Sequence, residues 1–258
     1  MDTIQKAEII LKNWLEKPQI SRMHSNAKKA SISKWMLESG KVPFTGGYPP
    51  YGYQKESIEL FKKNIREFKD SNIANDVTIA FGDSIIAFTA KDLSQIDYRL
   101  NFGQPGSGSP NYLSTANDIY SELEGLQIKY VVVGCFGGNP LLSYQDFEEI
   151  KLEAKNSFDG IRKLFPNSRI IVYGTPPVYD VYANIFIVDF EKYLISLVRN
   201  DPNSVYIFMR GKFADKSGLY PDPKYSRDGV HLGGEGIIIF DRWLGKAKIV
   251  PAGTILVE

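Results

Sequence analysis

From Val77 onward the chain alternates short apolar runs with longer stretches whose apolar residues recur every three or four positions. Five runs, Val77–Phe81, Ile96–Phe102, Tyr130–Cys135, Arg169–Tyr173 and Val205–Met209, are nearly continuous in Val, Ile, Tyr and Phe, as strands buried on both faces are. Between them Asn111–Leu123, Tyr144–Leu164 and Phe186–Val198 show helical spacing. A last helix over about Gly234–Lys246 offers Ile237, Ile238, Phe240 and Trp243 for packing. Strands separated by helices imply a mostly parallel sheet with helices on both faces. The pattern predicts an α/β domain over residues 75–258.

Residues 1–74 read differently. Ile4, Ala7, Leu11, Trp14 and Leu15 form one amphipathic stripe, and Ile58, Phe61, Ile65 and Phe68 form another. Val42–Tyr53, rich in Gly, Pro and Tyr, breaks the helical pattern between them. A helical extension with a loop in its middle is expected, its stripes docked on the α/β domain or on a second copy of the chain, so that a homo-oligomer would form through it.

Composition narrows the function classes. Of 258 residues, 43% are hydrophobic and 24% charged, as in an ordinary globular protein. Lys and Arg number 31 against 30 acids, so no net field favours nucleic acid or an anionic membrane. The single cysteine, Cys135, excludes an internal disulfide framework and argues against a thiolate metal site. No apolar run reaches the length of a membrane span, and Met1–Lys6 lacks a signal-peptide pattern. The expectation is a cytoplasmic protein with no membrane span.

Four short motifs carry candidate chemistry: Gly82-Asp83-Ser84, Asn101-Phe102-Gly103-Gln104-Pro105-Gly106, Gly137-Gly138-Asn139 and Asp228-Gly229-Val230-His231. Ser84 lies just past the first predicted strand, where open α/β sheets bind ligands, and a helix starting there would aim free N–H groups at an attacked carbonyl. A serine nucleophile needs a base that titrates near neutrality. Of the two histidines, His24 lies in a polar stretch with no acid motif, whereas His231 has Asp228 three residues before it to fix its tautomer. Gly106 could present a backbone N–H, and Asn139 a side-chain amide, to an oxyanion. The plainer roles are a capping serine, a loop histidine and a turn asparagine before Pro140. Ser107 and Ser109 read as loop hydroxyls, and a metal at Asp228 and His231 is poorly supported.

With these residues in this order, roughly residues 76–247 resemble the SGNH hydrolases, or GDSL-type esterases. The resemblance implies a three-layer α/β/α sandwich around a mostly parallel five-stranded sheet, flavodoxin-like, with the extension left unaccounted for. It also implies a nucleophile at Ser84, triad partners at Asp228 and His231, and an oxyanion hole of Ser84, Gly106 and Asn139, with no cofactor and no metal. Two positions depart from the family pattern: Ile85 stands where leucine is usual, and Pro140 follows Asn139 where many members carry aspartate. The implied activity is hydrolysis of a small-molecule acyl ester through an acyl-enzyme. The alternatives are an acyltransferase with the same triad, or an inactive binding or scaffold module. Acetyl on a carbohydrate is the favoured substrate, for which Tyr48, Pro49, Pro50, Tyr51 and Tyr53 would form a sugar platform. The plainer and preferred role of that cluster is a linker packed on the domain.

Overall fold

The computed structural model describes residues 55–71, 76–142 and 146–257. The first amphipathic stripe, His24 and the Tyr48–Tyr53 cluster lie outside the described residues.

Six strands, β1 (Val77–Gly82), β2 (Asn101–Gly103), β3 (Ile128–Val133), β4 (Arg169–Tyr173), β5 (Ser204–Ile207) and β6 (Ile255–Leu256), form one sheet in the order β2-β1-β3-β4-β5-β6. Every pair is parallel. The helices are α1 (Lys55–Ser71), α2 (Ser84–Thr89), α3 (Ser109–Ile119), α4 (Gly138–Leu142), α5 (Phe147–Leu164), α6 (Val181–Asn200), α7 (Arg210–Phe213) and α8 (Gly234–Ile249).

Successive strand side chains point to opposite faces, and the apolar runs divide accordingly. Val77, Ile79 and Phe81 of β1, Val131 and Val133 of β3, and Ile170 and Val172 of β4 share a core with α1, α3, α5 and α6. Ala80, Val132, Ile171, Tyr173, Val205 and Ile207 share the opposite core with α2, α7 and α8, whose largest member is Trp243. The result is a three-layer α/β/α sandwich, and it explains why the strands read as continuous apolar runs. Among the described residues no helix is long and apolar enough to cross a membrane.

Three expectations need correction. The sheet has six strands, not five, because β6 pairs with β5 through Tyr206 and Ile207. Two residues after the Pro251–Gly253 turn are too few for a periodic pattern to register. The second strand is shorter than Ile96–Phe102. The Asp97 carboxylate accepts from the Arg99 N–H at 3.0 Å and starts a 3-10 turn over Tyr98–Leu100, so a local side-chain bond replaces the ladder. The helix expected from Phe186 starts earlier, at Val181.

Helix α1 is continuous with the sheet's core. Ile58, Phe61, Ile65 and Phe68 are all buried there, and the Phe61 ring stands edge-on to Phe102 of β2 at 5.3 Å. The apolar stripe seen in the sequence is the buried face. Phe61→Ala should therefore cost about 3 kcal/mol in urea unfolding. Leu60→Ala, at a side chain 54% exposed, should cost less than about 0.5 kcal/mol. Equal, small effects would show that α1 contributes nothing to the domain's stability.

Candidate active site

The site is assembled at the carboxyl ends of β1, β2 and β3. Strand β1 ends in Gly82, and the chain turns directly into α2 with Asp83 as its N-cap. Asp83 Oδ1 accepts from the Ile85 N–H at 2.9 Å, satisfying one of the free donors at the helix start. Asp83 Oδ2 accepts from the Cys135 thiol at 3.1 Å. Burial raises the Asp83 carboxyl above its ordinary range, against the pull of the Cys135 and Ile85 hydrogen bonds and the nearby His231. Burial, with the Asp83 charge beside it, pushes the Cys135 thiol well up. Cys135 is therefore an inert structural thiol.

Ser84 is the first residue of α2. Its hydroxyl oxygen lies 3.0 Å from His231 Nε2, and His231 Nδ1 lies 2.8 Å from Asp228 Oδ2. Burial favours the neutral form of Asp228, but hydrogen bonds from the His231 ring and backbone, the His231 charge and the Val230 N–H outweigh it and bring the carboxyl down to about 2. An ionised Asp228 can only accept, so Nδ1 carries the proton. In the neutral imidazole Nε2 is then the acceptor, and the Ser84 hydroxyl donates to it.

The three-residue spacing of Asp228 and His231 works because the turn is tightly made. Asp228 Oδ1 accepts from the backbone N–H of Val230 at 3.1 Å and of His231 at 2.8 Å. Gly229 sits at φ +83°, which favours glycine. Its carbonyl accepts from the Tyr179 N–H at 2.8 Å, and its N–H donates to Ser226 Oγ at 2.8 Å. One carboxylate thus shapes the turn with one oxygen and orients the imidazole with the other.

Gly106 and Asn139 arrive on neighbouring loops. Gly106 has φ +76°, and neither its N–H nor that of Ser84 has a partner among the described residues. Ser107 ties the Gly106 loop to the end of β1, its hydroxyl donating to the Gln104 carbonyl at 2.6 Å and placed 3.2 Å from the Gly82 carbonyl. The Asn139 side-chain amide donates to the Ser107 carbonyl at 3.0 Å, which leaves one of its two hydrogens. Pro140, the unusual residue after Asn139, packs on Gly108: a Cβ there would lie 3.1 Å from Pro140 Cγ. Proline thus holds the asparagine's short helix against the Gly106 loop. Among the described residues no group of three His, Cys, Asp or Glu side chains is arranged to hold a metal ion.

No protein-family model matches the sequence, and no curated protein matches it. Solved structures do. A candidate platelet activating factor from Streptococcus pneumonia superposes with a TM-score of 0.60 at 15% identity, over 88% of this chain and 100% of that one. A candidate acylhydrolase from Bacteroides fragilis gives 0.58 at 16% identity, over 76% and 97%. A GDSL-like lipase from Bacteroides thetaiotaomicron gives 0.53 at 14% identity, over 85% and 97%. The chain shares the fold of these structures. At such low identity it is the architecture that is shared.

Within this fold the site also holds residues that the motifs did not flag. Phe88 lies four residues after Ser84, and its ring stands edge-on to His231 at 5.1 Å. Arg227, next to Asp228 in the chain, donates from Nε to Asp228 Oδ2 at 3.3 Å. The available signals were the one-turn helical spacing from Ser84 and the adjacency to Asp228.

The downward shift of Asp228 has a stability consequence. Its carboxyl goes from an ordinary 3.8 to about 2 in the folded chain, so between those values the folded state binds fewer protons than the unfolded one. The stabilisation it contributes is full above about pH 4 and is lost as pH falls toward 2. Asp228→Asn should melt below wild type at pH 7, and the gap should close on acidification from pH 4. A gap that persists at the lowest pH where both fold would contradict this.

Proposed function

We propose that the protein is a serine hydrolase of acyl esters, with Ser84 as nucleophile, His231 as general base and acid, and Asp228 as the group that orients and stabilises the imidazole. The observation that carries the reading is the continuous contact from Ser84 Oγ to His231 Nε2 to Asp228 Oδ2, at 3.0 and 2.8 Å, at the start of a helix. A serine that merely capped α2 would need no histidine on its hydroxyl; here the cap is Asp83.

His231 Nε2 takes the hydroxyl proton as Ser84 Oγ attacks the ester carbonyl. Negative charge gathers on the carbonyl oxygen, and the Ser84 N–H, the Gly106 N–H and the second amide hydrogen of Asn139 are the donors for it. The imidazolium hands its proton to the departing alcohol oxygen, leaving an acyl-Ser84 ester. Water then enters the vacated place, gives its proton to His231 and attacks the acyl carbonyl. Collapse of that intermediate returns the proton to Ser84 Oγ and releases the acid. The ionised Asp228 stabilises the imidazolium in both halves without taking the proton.

The substrate is a small-molecule acyl ester. The carbohydrate platform expected at Tyr48–Tyr53 lies outside the described residues and carries no part of this reading. Within residues 1–74, α1 shares the core of β1 and β2 and so supports the site.

A panel of acyl esters of varied chain length, assayed with wild type and two variants, tests the proposal. Ser84→Ala should lower kcat by on the order of 10⁴-fold or more while leaving the fold intact. Asn139→Ala should lower kcat by about 10²–10³-fold. A correctly folded Ser84→Ala protein that keeps more than a few per cent of wild-type turnover would remove Ser84 from the mechanism. Because no step uses a metal, exhaustive chelation should leave activity unchanged. Inactivation reversed by zinc or manganese would favour a metal at Asp228 and His231 instead.

A further inference from the structure

Two exposed side chains stand beside His231 without a place in the mechanism. Phe88 is 47% exposed, and its ring meets the imidazole edge-on, at 61° between planes. The Arg227 guanidinium lies over that ring, 5.4 Å from its centroid. Its Nε is taken by Asp228 Oδ2, and its two terminal nitrogens make no hydrogen bond among the described residues.

The location of these groups relative to the reaction follows from the chemistry. The departing alcohol oxygen receives its proton from His231 Nε2, so it must come within hydrogen-bond reach of that atom. Phe88, one turn after Ser84 on α2 and edge-on to the imidazole, therefore stands beside the place of the alcohol part of the ester. Arg227 joins this wall through Phe88, over whose ring its guanidinium lies, while its Nε bonds Asp228 on the Nδ1 side of the imidazole. The contact with Phe88 and the bond from Nε orient the guanidinium before any ligand arrives. The fork of free N–H groups suits two oxygens of one anionic group. The chain's near-zero net charge supplies no general attraction for anions, so selection of one would fall to this local cation.

We propose that Phe88 and Arg227 form the alcohol-side wall of the site, and that the ester hydrolysed there carries a carboxylate or phosphate on its alcohol. The inference rests on the hydrolase reading above. Phe88 supplies an apolar face for the body of the alcohol, and Arg227 takes its anionic end.

The competing role for Arg227 is to steady Asp228 alone. The two roles separate in a ratio. 4-Acetoxybenzoate and its neutral methyl ester share an acyl group and differ in one charge on the alcohol part. The kcat/KM ratio of anionic to neutral ester should fall about tenfold from wild type to Arg227→Gln. The fall should lie in KM rather than kcat, and Arg227→Lys should recover part of it. Loss of Asp228 support alone would slow both esters alike and leave the ratio in place. A ratio unchanged within about twofold would overturn the proposal.

Binding separates failure of this inference from failure of the hydrolase reading. In calorimetry, the Ser84→Ala protein should bind 4-acetoxybenzoate more tightly than the methyl ester, and Ser84→Ala with Arg227→Gln should lose the preference. That result would uphold the wall even if wild type turned over neither ester. Equal binding of the two esters by Ser84→Ala would overturn it.

Discussion

The close approach of β1 and β3 at their carboxyl ends is the constraint on which the site depends. A Cβ at Gly134 would lie 2.6 Å from the Tyr173 hydroxyl and 2.9 Å from the Gly82 Cα. A Cβ at Gly82 would lie 2.8 Å from Ile86 Cγ1. Only glycine fits at both strand ends, and the Gly134 N–H closes on the Phe81 carbonyl at 2.8 Å. Because β1 ends so tightly, α2 starts at once, and Ser84 is held at its first turn rather than on a free loop. The Gly82 carbonyl then gathers the second motif, accepting from the Gln104 N–H at 2.9 Å with the Ser107 hydroxyl beside it at 3.2 Å. Asn139 follows through Ser107.

The opposite wall is held by a polar network as deeply buried as the sheet. Asn184 of α6 donates to the Val178 carbonyl at 2.7 Å and to the Leu219 carbonyl at 2.9 Å, and accepts from the Val178 N–H at 3.0 Å. Arg210 pairs with Glu191 at 3.2 Å and with Asn184 Oδ1 at 3.2 Å, entirely within the core. Burial raises the Glu191 carboxyl against the pull of Arg210 and Tyr206. Such a pair is costly to desolvate and costlier to break by removing one partner. It fixes the segment carrying Tyr179, whose N–H holds the Gly229 carbonyl. The imidazole is thus positioned by side chains far from it in sequence.

Much of this was legible in the chain because the decisive signals are local. Val77–Phe81 and Arg169–Tyr173 are continuous apolar runs, and the strands formed there match the expected spans closely. The three-residue spacing of Asp228 and His231 is a turn that a single carboxylate can organise, so the sequence displays the pair as a unit. What was hidden depends on contacts between distant segments. Two residues of β6 gain their place only by pairing with β5. Asp97 diverts the chain before β2 through a side-chain bond that no apolar period reveals. Phe88 and Arg227 read as an ordinary helix residue and a loop cation, and meet only when α2 and the Asp228 turn fold together. The buried Arg210–Glu191 pair runs against the usual exposure of charged residues, so composition alone would place both outside.

The central claim is that the geometry activates one serine, Ser84, through His231. Labelling of the full-length chain with a fluorophosphonate, followed by peptide mapping by mass spectrometry, addresses it most directly, because the reagent reports nucleophilicity at a named atom without a known substrate. The account predicts one label per chain, on Ser84, which is lost in His231→Ala although the serine is still present. Absence of labelling in folded wild type, or a label on Ser107 or Ser109, would contradict it.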